Sequence, residues 1–384
     1  MGKRKDNKGR VLKQGEGQRP NGTYEYRYTD RKGKRQRVYA KTLEELRKKE
    51  ADIQKDTLDG IDNAAGEITV VQLVDKYMNL RRDLKQNTQR AYGSGINRIK
   101  ASSFGQRKIK TVKKSDAMSF LISLHDEGLK QNTVSIVHNI LRPAFEMAVD
   151  DDSIRKNPFK FKLADIIPND AYKRTALTNA QQKVYLSFVR DYGADNYYDD
   201  IEILLNTGLR VSELYGLTKA DIDFSNRRIH INKQLCRTAE KPYFITEPKT
   251  KSGIRYIPMS DQVYLALHRV LEKRVTPKVE MLVDGYAGFL FLDKDGKPKV
   301  GMHLQNYMRL MQRKIEKAYG NSIPRVTPHV LRHTFCSNMA KAGMDAKSLQ
   351  TVMGHSNISV TYDVYTHLDY ESVEKAFFNA VSSL

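Results

Sequence analysis

Aromatic and polar residues alternate near the start of the chain with the period of a β-strand. Thr23–Tyr28 carries a tyrosine at every second position, Arg35–Tyr39 continues in the same style, and Asp30–Lys34 between them contains a glycine. Alternation interrupted by a short glycine-containing turn is typical of a β-hairpin with one aromatic and one charged face. A helix is predicted over 42–58, because Thr42 can cap its start and two glutamates follow in its first turn.

The segment from Thr69 to about Asp152 has the apolar spacing of amphipathic helices. Four stripes recur at intervals of three and four residues, so the side chains of each share one helix face. Their members are Val70, Leu73, Val74 and Tyr77; Tyr92, Ile96 and Ile99; Phe120, Leu121 and Leu124; Ile136, Ile140, Ala144, Met147 and Ala148. Pro143 is expected to kink or interrupt the fourth helix. The pattern predicts a helical bundle with basic residues on its outer faces.

Two stretches are expected to be linkers, 60–66 and 159–174. Beyond Leu177 helices and strands are mixed, with helices predicted over 179–192, 197–206, 302–319, 328–342, 345–353 and 371–381, and strands over 227–234 and 254–258. The last of these helices carries an apolar stripe at Val373, Ala376, Phe377, Ala380 and Val381. The expected fold class is therefore mainly α with small β-sheets (α+β), in three domains spanning 1–60, 67–160 and 175–384.

The charge balance narrows the class of partner. The 384 residues include 66 Lys and Arg against 45 Asp and Glu, a net charge of +21, and residues 1–50 alone hold a net +10. Nucleic acid is the commonest partner of such a chain. No run approaches the ~18 apolar residues of a membrane span. Two cysteines a hundred residues apart make neither a disulfide framework nor a zinc cluster, so we expect a cytoplasmic protein.

Three segments carry candidate chemistry, and the first is Asn206–Leu214. An apolar helix ends there at a glycine turn, and a new helix begins at Arg210 with Glu213 one turn further on. An arginine at a helix start, oriented by its own carboxylate, is placed to bind an anion. Taken alone the signal is weak, since most such pairs are surface salt bridges.

The second segment is Thr327–His333, in which a capping threonine and a proline mark the start of a helix. His329, Arg332 and His333 fall on one face of that helix. Two histidines at this spacing suggest zinc, but a zinc protease has glutamate directly after the first histidine, where Val330 stands here. The arginine between the histidines disfavours a cation and favours a phosphate, whose oxygens a guanidinium fork matches.

The third segment runs from Met353 through His355 to Tyr365, ten residues after the histidine. A histidine after a glycine at a helix end can donate to a phosphate or act as a base. A tyrosine is a poor nucleophile near neutrality because its pKa is about 10. It becomes effective if a base takes its proton and cations stabilise the charge that develops.

Together, TGLRVSEL, HVLRHTF and MGH followed by VYTH resemble the motifs of the tyrosine recombinase (phage integrase) family, and the chain is most similar to a conjugative-transposon integrase. The resemblance implies an arm-type DNA-binding module over 1–60, a core-binding domain over 67–160 and a tyrosine-recombinase catalytic domain with a tail helix over 175–384. It also implies cutting and rejoining of DNA through a covalent 3′-phosphotyrosine, without metal, ATP or another cofactor.

The resemblance assigns roles by position. Arg210 and Arg332 would clamp the scissile phosphate, His329 would donate to it and shuttle a proton, and His355 would add a hydrogen bond. Glu213 and His333 would support them.

The nucleophile and the general acid each have a second candidate. Tyr365 would be the nucleophile. Many members carry the tyrosine nine residues after the histidine, where this chain has Val364, and Tyr362 is the fallback. Lys251, beside the turn before the strand IRYIP, is favoured as the general acid that protonates the departing 5′ oxygen, and Lys249 remains an alternative.

The expected function is integration and excision of a mobile element. The alternatives are a DNA-binding regulator of the same fold that does not cut and, less favoured, a metal-dependent nuclease. Expected partners are double-stranded DNA at core crossover sites and arm-type repeats, further copies of the chain in a tetramer, and an excisionase or DNA-bending protein. The residues expected to contact DNA are Arg27, Arg35, Arg37, Arg90 and Lys249.

Overall fold

The computed structural model divides the chain into two compact units, Met1–Tyr172 and Lys173–Leu384. The residues described are 4–30, 33–62, 65–81, 84, 86–170, 175–192, 197–238, 240–248, 250–366, 374, 378 and 381. Lys249 and four members of the predicted C-terminal stripe, Val373, Ala376, Phe377 and Ala380, lie outside the described residues.

The first unit begins with a three-stranded antiparallel sheet and a helix. Its strands are β1 (Glu16–Gln18), β2 (Tyr24–Thr29) and β3 (Arg35–Ala40), in that order across the sheet, followed by α1 (Leu43–Leu58). The predicted hairpin and helix are confirmed, and β1 is an additional strand. Thr42 caps α1 by accepting a hydrogen bond from the backbone N–H of Glu45 at 3.2 Å.

The two faces of this sheet differ as the alternation predicts. Tyr24 and Ala40 pack against Leu43 and Leu46 of α1. Arg27 pairs across the strands with Arg37, and Arg35 lies two residues before Arg37 on β3, so the three side chains share the opposite face. All three arginines are exposed.

Four helices form the rest of the first unit: α2 (Val70–Leu80), α3 (Gln86–Ala101), α4 (Lys114–Asp126) and α5 (Gln131–Asp150). They coincide with the four predicted stripes, and α5 runs through Pro143 without interruption. Their inward residues form one core that includes Leu73, Ile99, Leu121 and Ile140.

The second predicted linker is only partly one. Phe159 and Ile167 are almost completely buried in the core of the helical bundle, and the Phe159 ring lies 5.1 Å from that of Phe145. Apolar side chains of the stretch FKFKLADII pack into the core of the helical bundle, so the chain as far as Ile167 belongs to the bundle. The boundary between the two units falls a few residues later.

The second unit is mainly helical with two small sheets. Its helices are α6 (Asn179–Tyr192), α7 (Tyr198–Thr207), α8 (Val211–Gly216), α9 (Asp261–Lys273), α10 (Gly301–Tyr319), α11 (Pro328–Lys341), α12 (Ala346–Met353) and α13 (Ser359–Tyr365). Its strands are β4 (Ile222–Asp223), β5 (Arg228–Ile231), β6 (Gln234–Cys236), β7 (Phe244–Thr246) and β8 (Arg255–Pro258). Strand β5 lies between β4 and β8, and β6 pairs with β7. All these pairs are antiparallel.

Most predicted elements of this unit are present, and a few were missed. The strand predicted over 227–234 is shorter, because β5 ends at Ile231 and a separate strand, β6, begins at Gln234. Helices α9 and α13, strand β4 and the pair β6–β7 had not been predicted. Helix α7 packs against both α9 and α11 and so lies at the centre of the unit. In the part of the chain that the structure describes, no helix is both long and apolar enough to cross a membrane.

Candidate active site

The first arginine of the site is held by a sharp turn between α7 and α8. Gly208 ends α7 in the left-handed conformation, with φ +66°, and a Cβ there would meet Phe335 Cδ1 at 2.4 Å. Arg210 then stands directly before α8. Its backbone N–H donates to Glu213 Oε2 at 2.9 Å, and its Nη1 donates to Glu213 Oε1 at 2.6 Å. The predicted arginine–carboxylate pair is therefore formed at the start of α8.

Glu213 is completely buried and serves two arginines. Besides Arg210, it accepts hydrogen bonds from Arg255 of β8, whose Nη2 lies 3.0 Å from Oε2 and whose Nη1 lies 3.3 Å from Oε1. Burial alone would raise the pKa of this carboxyl, but the charges and hydrogen bonds of Arg255 and Arg210 outweigh it and the pKa is lowered. Glu213 is thus ionised and orients both guanidinium groups.

The second arginine comes from the well-capped start of α11. Thr327 Oγ1 accepts from the backbone N–H of Val330 at 3.2 Å, and Pro328 occupies the first helical position. One turn on, Arg332 is 7% exposed and donates to the carbonyls of Gly208 and Met353. Burial, with the nearby positive charge of Arg210, lowers its pKa to about 9. A buried guanidinium is costly unless acceptors surround it, and the two carbonyls supply that compensation for Arg332.

Three arginine side chains converge on the C-terminal end of α12. Three successive carbonyls there accept hydrogen bonds: Val352 from Arg255 Nε at 2.6 Å, Met353 from Arg332 and Gly354 from Arg210 Nη2 at 3.4 Å. The last carbonyls of a helix have no partner within it and carry partial negative charge, so they attract cations. This end of α12 therefore assembles side chains from three distant segments.

His355 follows directly on these carbonyls. Its Nδ1 lies 3.0 Å from Thr361 Oγ1. Burial first, then the charges of Arg332, Arg210 and Arg255, lower its pKa to about 4. The imidazole is therefore neutral near pH 7, with one ring nitrogen that donates and one that accepts.

The two histidines of the second motif lie on α11 with Arg332. His329 is exposed in the first turn, and His333 is half-buried one turn later. The competing zinc interpretation gains no support, because the described residues contain no group of three metal-ligating side chains.

Tyr365 ends α13, and its hydroxyl does not contact the arginines. The hydroxyl donates instead to the carbonyl of Met344, in the loop between α11 and α12. Burial, followed by the nearby Cys336 and Asp345, raises the pKa of Tyr365 to about 12. Tyr362, the other candidate, is 50% exposed. The structure thus brings together Arg210, Arg332, His355 and Glu213, and leaves the tyrosine hydroxyl engaged elsewhere.

The favoured lysine lies in a short turn that leads into β8. Lys251 begins a single 3₁₀ turn, Lys251–Gly253, and is exposed. Arg255, two residues beyond that turn, was missed from the sequence. A signal existed, because alternation along β8 places this arginine on the same inward face as the buried Ile257, and a buried cation requires a partner.

The residues of the first unit that are predicted to contact DNA are distant in sequence from this arginine cluster. Arg27, Arg35 and Arg37 share one face of the N-terminal sheet, and Arg90 is exposed on α3. Arg90 and Arg98 lie on one open face of α3 together with Gly93, Ser94, Asn97 and Ala101. Their roles remain predictions.

Guanidinium groups gathered beside a neutral histidine, in a basic chain, are typical of sites in DNA-processing enzymes that bind phosphate groups. Comparison with known proteins agrees. The profile of the phage integrase family matches residues 175–372, and that of the DNA binding domain of Tn916 integrase matches residues 1–57. The chain belongs to the phage integrase family and is a site-specific tyrosine recombinase, an enzyme that cuts and rejoins DNA.

Similar proteins come from transposons. The transposase from transposon Tn916 of Enterococcus faecalis is 40% identical, over 96% of this chain and 95% of its own length. The transposase from transposon Tn1545 of Streptococcus pneumoniae has the same identity and coverage. The Tn1549 transposon integrase in complex with a circular intermediate DNA is 39% identical, with a TM-score of 0.76 over 82% of this chain and 99% of that one. The predicted fold class and family are confirmed.

Proposed function

We propose that this recombinase integrates and excises a mobile element, and that the cluster at the end of α12 binds the scissile phosphate. The observation that carries the proposal is the convergence of Arg210 and Arg332 on adjacent carbonyls beside His355. Each of the two guanidinium groups now donates to acceptors on the protein, Arg210 to Glu213 and Gly354 and Arg332 to Gly208 and Met353. A phosphate diester entering the site would offer charged oxygens to the same donors, which form stronger hydrogen bonds to an anion than to a carbonyl.

The chemical step assigned to this site is a transesterification. The Tyr365 oxygen forms a bond to phosphorus while the bond from phosphorus to the 5′ oxygen breaks, and that electron pair stays on the 5′ oxygen. A histidine, His329 or His355, takes the phenol proton, and Lys251 or Lys249 gives a proton to the 5′ oxygen. Arg210 and Arg332 stabilise the negative charge that builds on the non-bridging oxygens.

The tyrosine has to move for this step to occur. With its pKa raised to about 12, the phenol is protonated near pH 7, and its hydroxyl is bound to the Met344 carbonyl. Attack therefore requires α13 to release that hydrogen bond. We propose that binding to DNA, as a tetramer on paired core sites, supplies the rearrangement, with an excisionase or DNA-bending protein acting on the same assembly.

A suicide duplex, nicked next to the cleavage position so that the short leaving strand diffuses away, tests the assignment. Incubated with this duplex in EDTA, the wild-type protein is expected to form a covalent protein–DNA adduct, and Tyr365→Phe to form none while binding DNA equally. Tyr362→Phe is the matched control and should retain the adduct. An adduct with Tyr365→Phe would move the nucleophile to Tyr362. No wild-type adduct in EDTA would favour the metal-dependent or the non-cutting alternative.

A further inference from the structure

Arg255 is a buried cation outside the motifs, and it connects three segments of the site. Its side chain is 2% exposed and lies on the inward face of β8. It donates to both oxygens of Glu213, to the carbonyl of Val352 at 2.6 Å and to the carbonyl of Gly253 at 3.0 Å. These partners belong to the start of the Arg210 helix, the end of α12 and the turn that begins at Lys251.

The space around Arg255 leaves little tolerance. A Cβ built at Gly354, whose carbonyl accepts from Arg210, would lie 2.9 Å from Arg255 Nη1 and 3.1 Å from the carbonyl oxygen of Ser252. The lysine turn therefore approaches the end of α12 directly, with Arg255 in the contact. A shift of Arg255 would move the turn and the His355 loop relative to each other.

Stability alone is a weak reason for an arginine at this position. A buried ion pair replaced by well-packed apolar residues of similar volume is often neutral or stabilising, because desolvation offsets the attraction. The other inward position of β8, Ile257, is apolar and nearly completely buried. An arginine that satisfies partners in three segments fixes their relative positions, which an apolar residue cannot do.

We infer that Arg255 is a positioning residue that holds the turn carrying the catalytic lysine against the arginine cluster. The inference rests on the proposed function, because it assigns the general acid to this turn. In the cleavage step, the proton that neutralises the departing 5′ oxygen comes from the ammonium of Lys251 or Lys249, four or six residues before Arg255. Fixing β8 to Glu213 and Val352 sets the distance over which that proton moves.

The test compares two leaving groups in Arg255→Lys and in Arg255→Gln. In one suicide duplex the bridging 5′ atom is oxygen, and in the other it is sulfur, whose thiolate leaves without needing a proton because thiol pKa values lie near 8.5. Misplacing a catalytic group by about 1 Å can cost about 10²-fold in rate. We expect both variants to lose about 10²-fold with the oxygen duplex and less than about tenfold with the sulfur duplex.

Arg274→Lys is the matched control. Arg274 has a side chain that is also 2% exposed, and it too donates both to a backbone carbonyl, that of Phe289 at 2.8 Å, and to a glutamate, Glu280, at 2.7 Å. It lies in the same unit, and its hydrogen bonds within the described part of the chain go to residues outside the site. Any decrease in the cleavage rate of Arg274→Lys should be the same with the oxygen duplex as with the sulfur duplex. Circular dichroism and DNA binding compare the folded fraction of all variants.

The outcomes separate the inference from the function on which it rests. Equal losses with oxygen and sulfur, or no loss at all, would overturn the role of Arg255. Lys251→Ala and Lys249→Ala identify the acid, because the variant that lacks it should recover with sulfur. If neither recovers, the lysine assignment under the proposed function is wrong, and the role of Arg255 is wrong with it. If the wild-type protein forms no adduct with either duplex, the proposed cleavage itself is refuted.

Discussion

Replacing Glu213 by glutamine tests how far one buried carboxylate holds the site together. The amide has nearly the shape of the carboxylate, so no cavity forms, but the negative charge between Arg210 and Arg255 is lost. Arg210 is 33% exposed in its side chain and can turn towards water. Arg255 cannot turn towards water in this way, because its side chain is only 2% exposed. The perturbation therefore leaves one cation buried and without its counter-charge.

The expected magnitude follows from that difference. Breaking a buried ion pair by removing one partner costs about 3–5 kcal/mol, because the remaining charge stays uncompensated. The free energy of unfolding of the second unit should fall by this amount in Glu213→Gln. Since each 1.4 kcal/mol is a factor of ten, amides that exchange only through unfolding of this unit should exchange about 10²-fold to 4 × 10³-fold faster.

Hydrogen–deuterium exchange with mass spectrometry measures this unit within the whole chain. Peptides from α7 and α11, which pack on each other at its centre, report its unfolding. Asp261→Asn is the control, since Asp261 pairs with Arg227 at the surface and the two side chains are 82% and 51% exposed. Exposed pairs contribute about 0–1 kcal/mol, so exchange should change by less than about fivefold.

A small effect would refute the reasoning. If Glu213→Gln exchanges as slowly as Asp261→Asn, the carboxylate does not compensate a buried charge, and Arg255 has another source of stabilisation. If the faster exchange is confined to α8 while α7 and α11 are unchanged, the pair is local and does not hold the unit together.

Two further predictions follow from the same site. Gly208→Ala should lower the free energy of unfolding by about 2–4 kcal/mol, because alanine disfavours the left-handed conformation and its Cβ would collide with Phe335. Gly343→Ala is the control: Gly343 has φ +86° but open space around it, so the loss in urea titrations should be only about 1–2 kcal/mol. Equal losses in the two variants would contradict the steric argument. His355, with its pKa lowered from 6.5 to about 4, stabilises the fold fully above pH 6.5 and loses this contribution as the pH falls from 6.5 to 4. The difference in unfolding free energy between wild type and His355→Gln should shrink over that interval, and a flat difference would mean that the histidine titrates normally.

The sequence determined the local elements because their causes are local. Alternating tyrosines give β2, the threonine cap and proline give the start of α11, and the apolar stripes give the four helices of the first unit. The motif residues Arg210, Arg332 and His355 could also be found, because each lies at a helix end marked by glycine, threonine or proline. Phe159 was misassigned, since whether an apolar residue after a helix is buried depends on a surface formed elsewhere.

Tertiary structure alone decided which groups meet. Arg255 is 42 residues from Glu213 and 97 from Val352, and nothing in the stretch IRYIP identifies either partner. The Tyr365 motif predicts a nucleophile but not that its hydroxyl is bound to Met344. Helix and strand periodicities reflect interactions between residues that are close in the chain. The partners of a buried charge are set by desolvation, which occurs only once distant segments have packed together and excluded water.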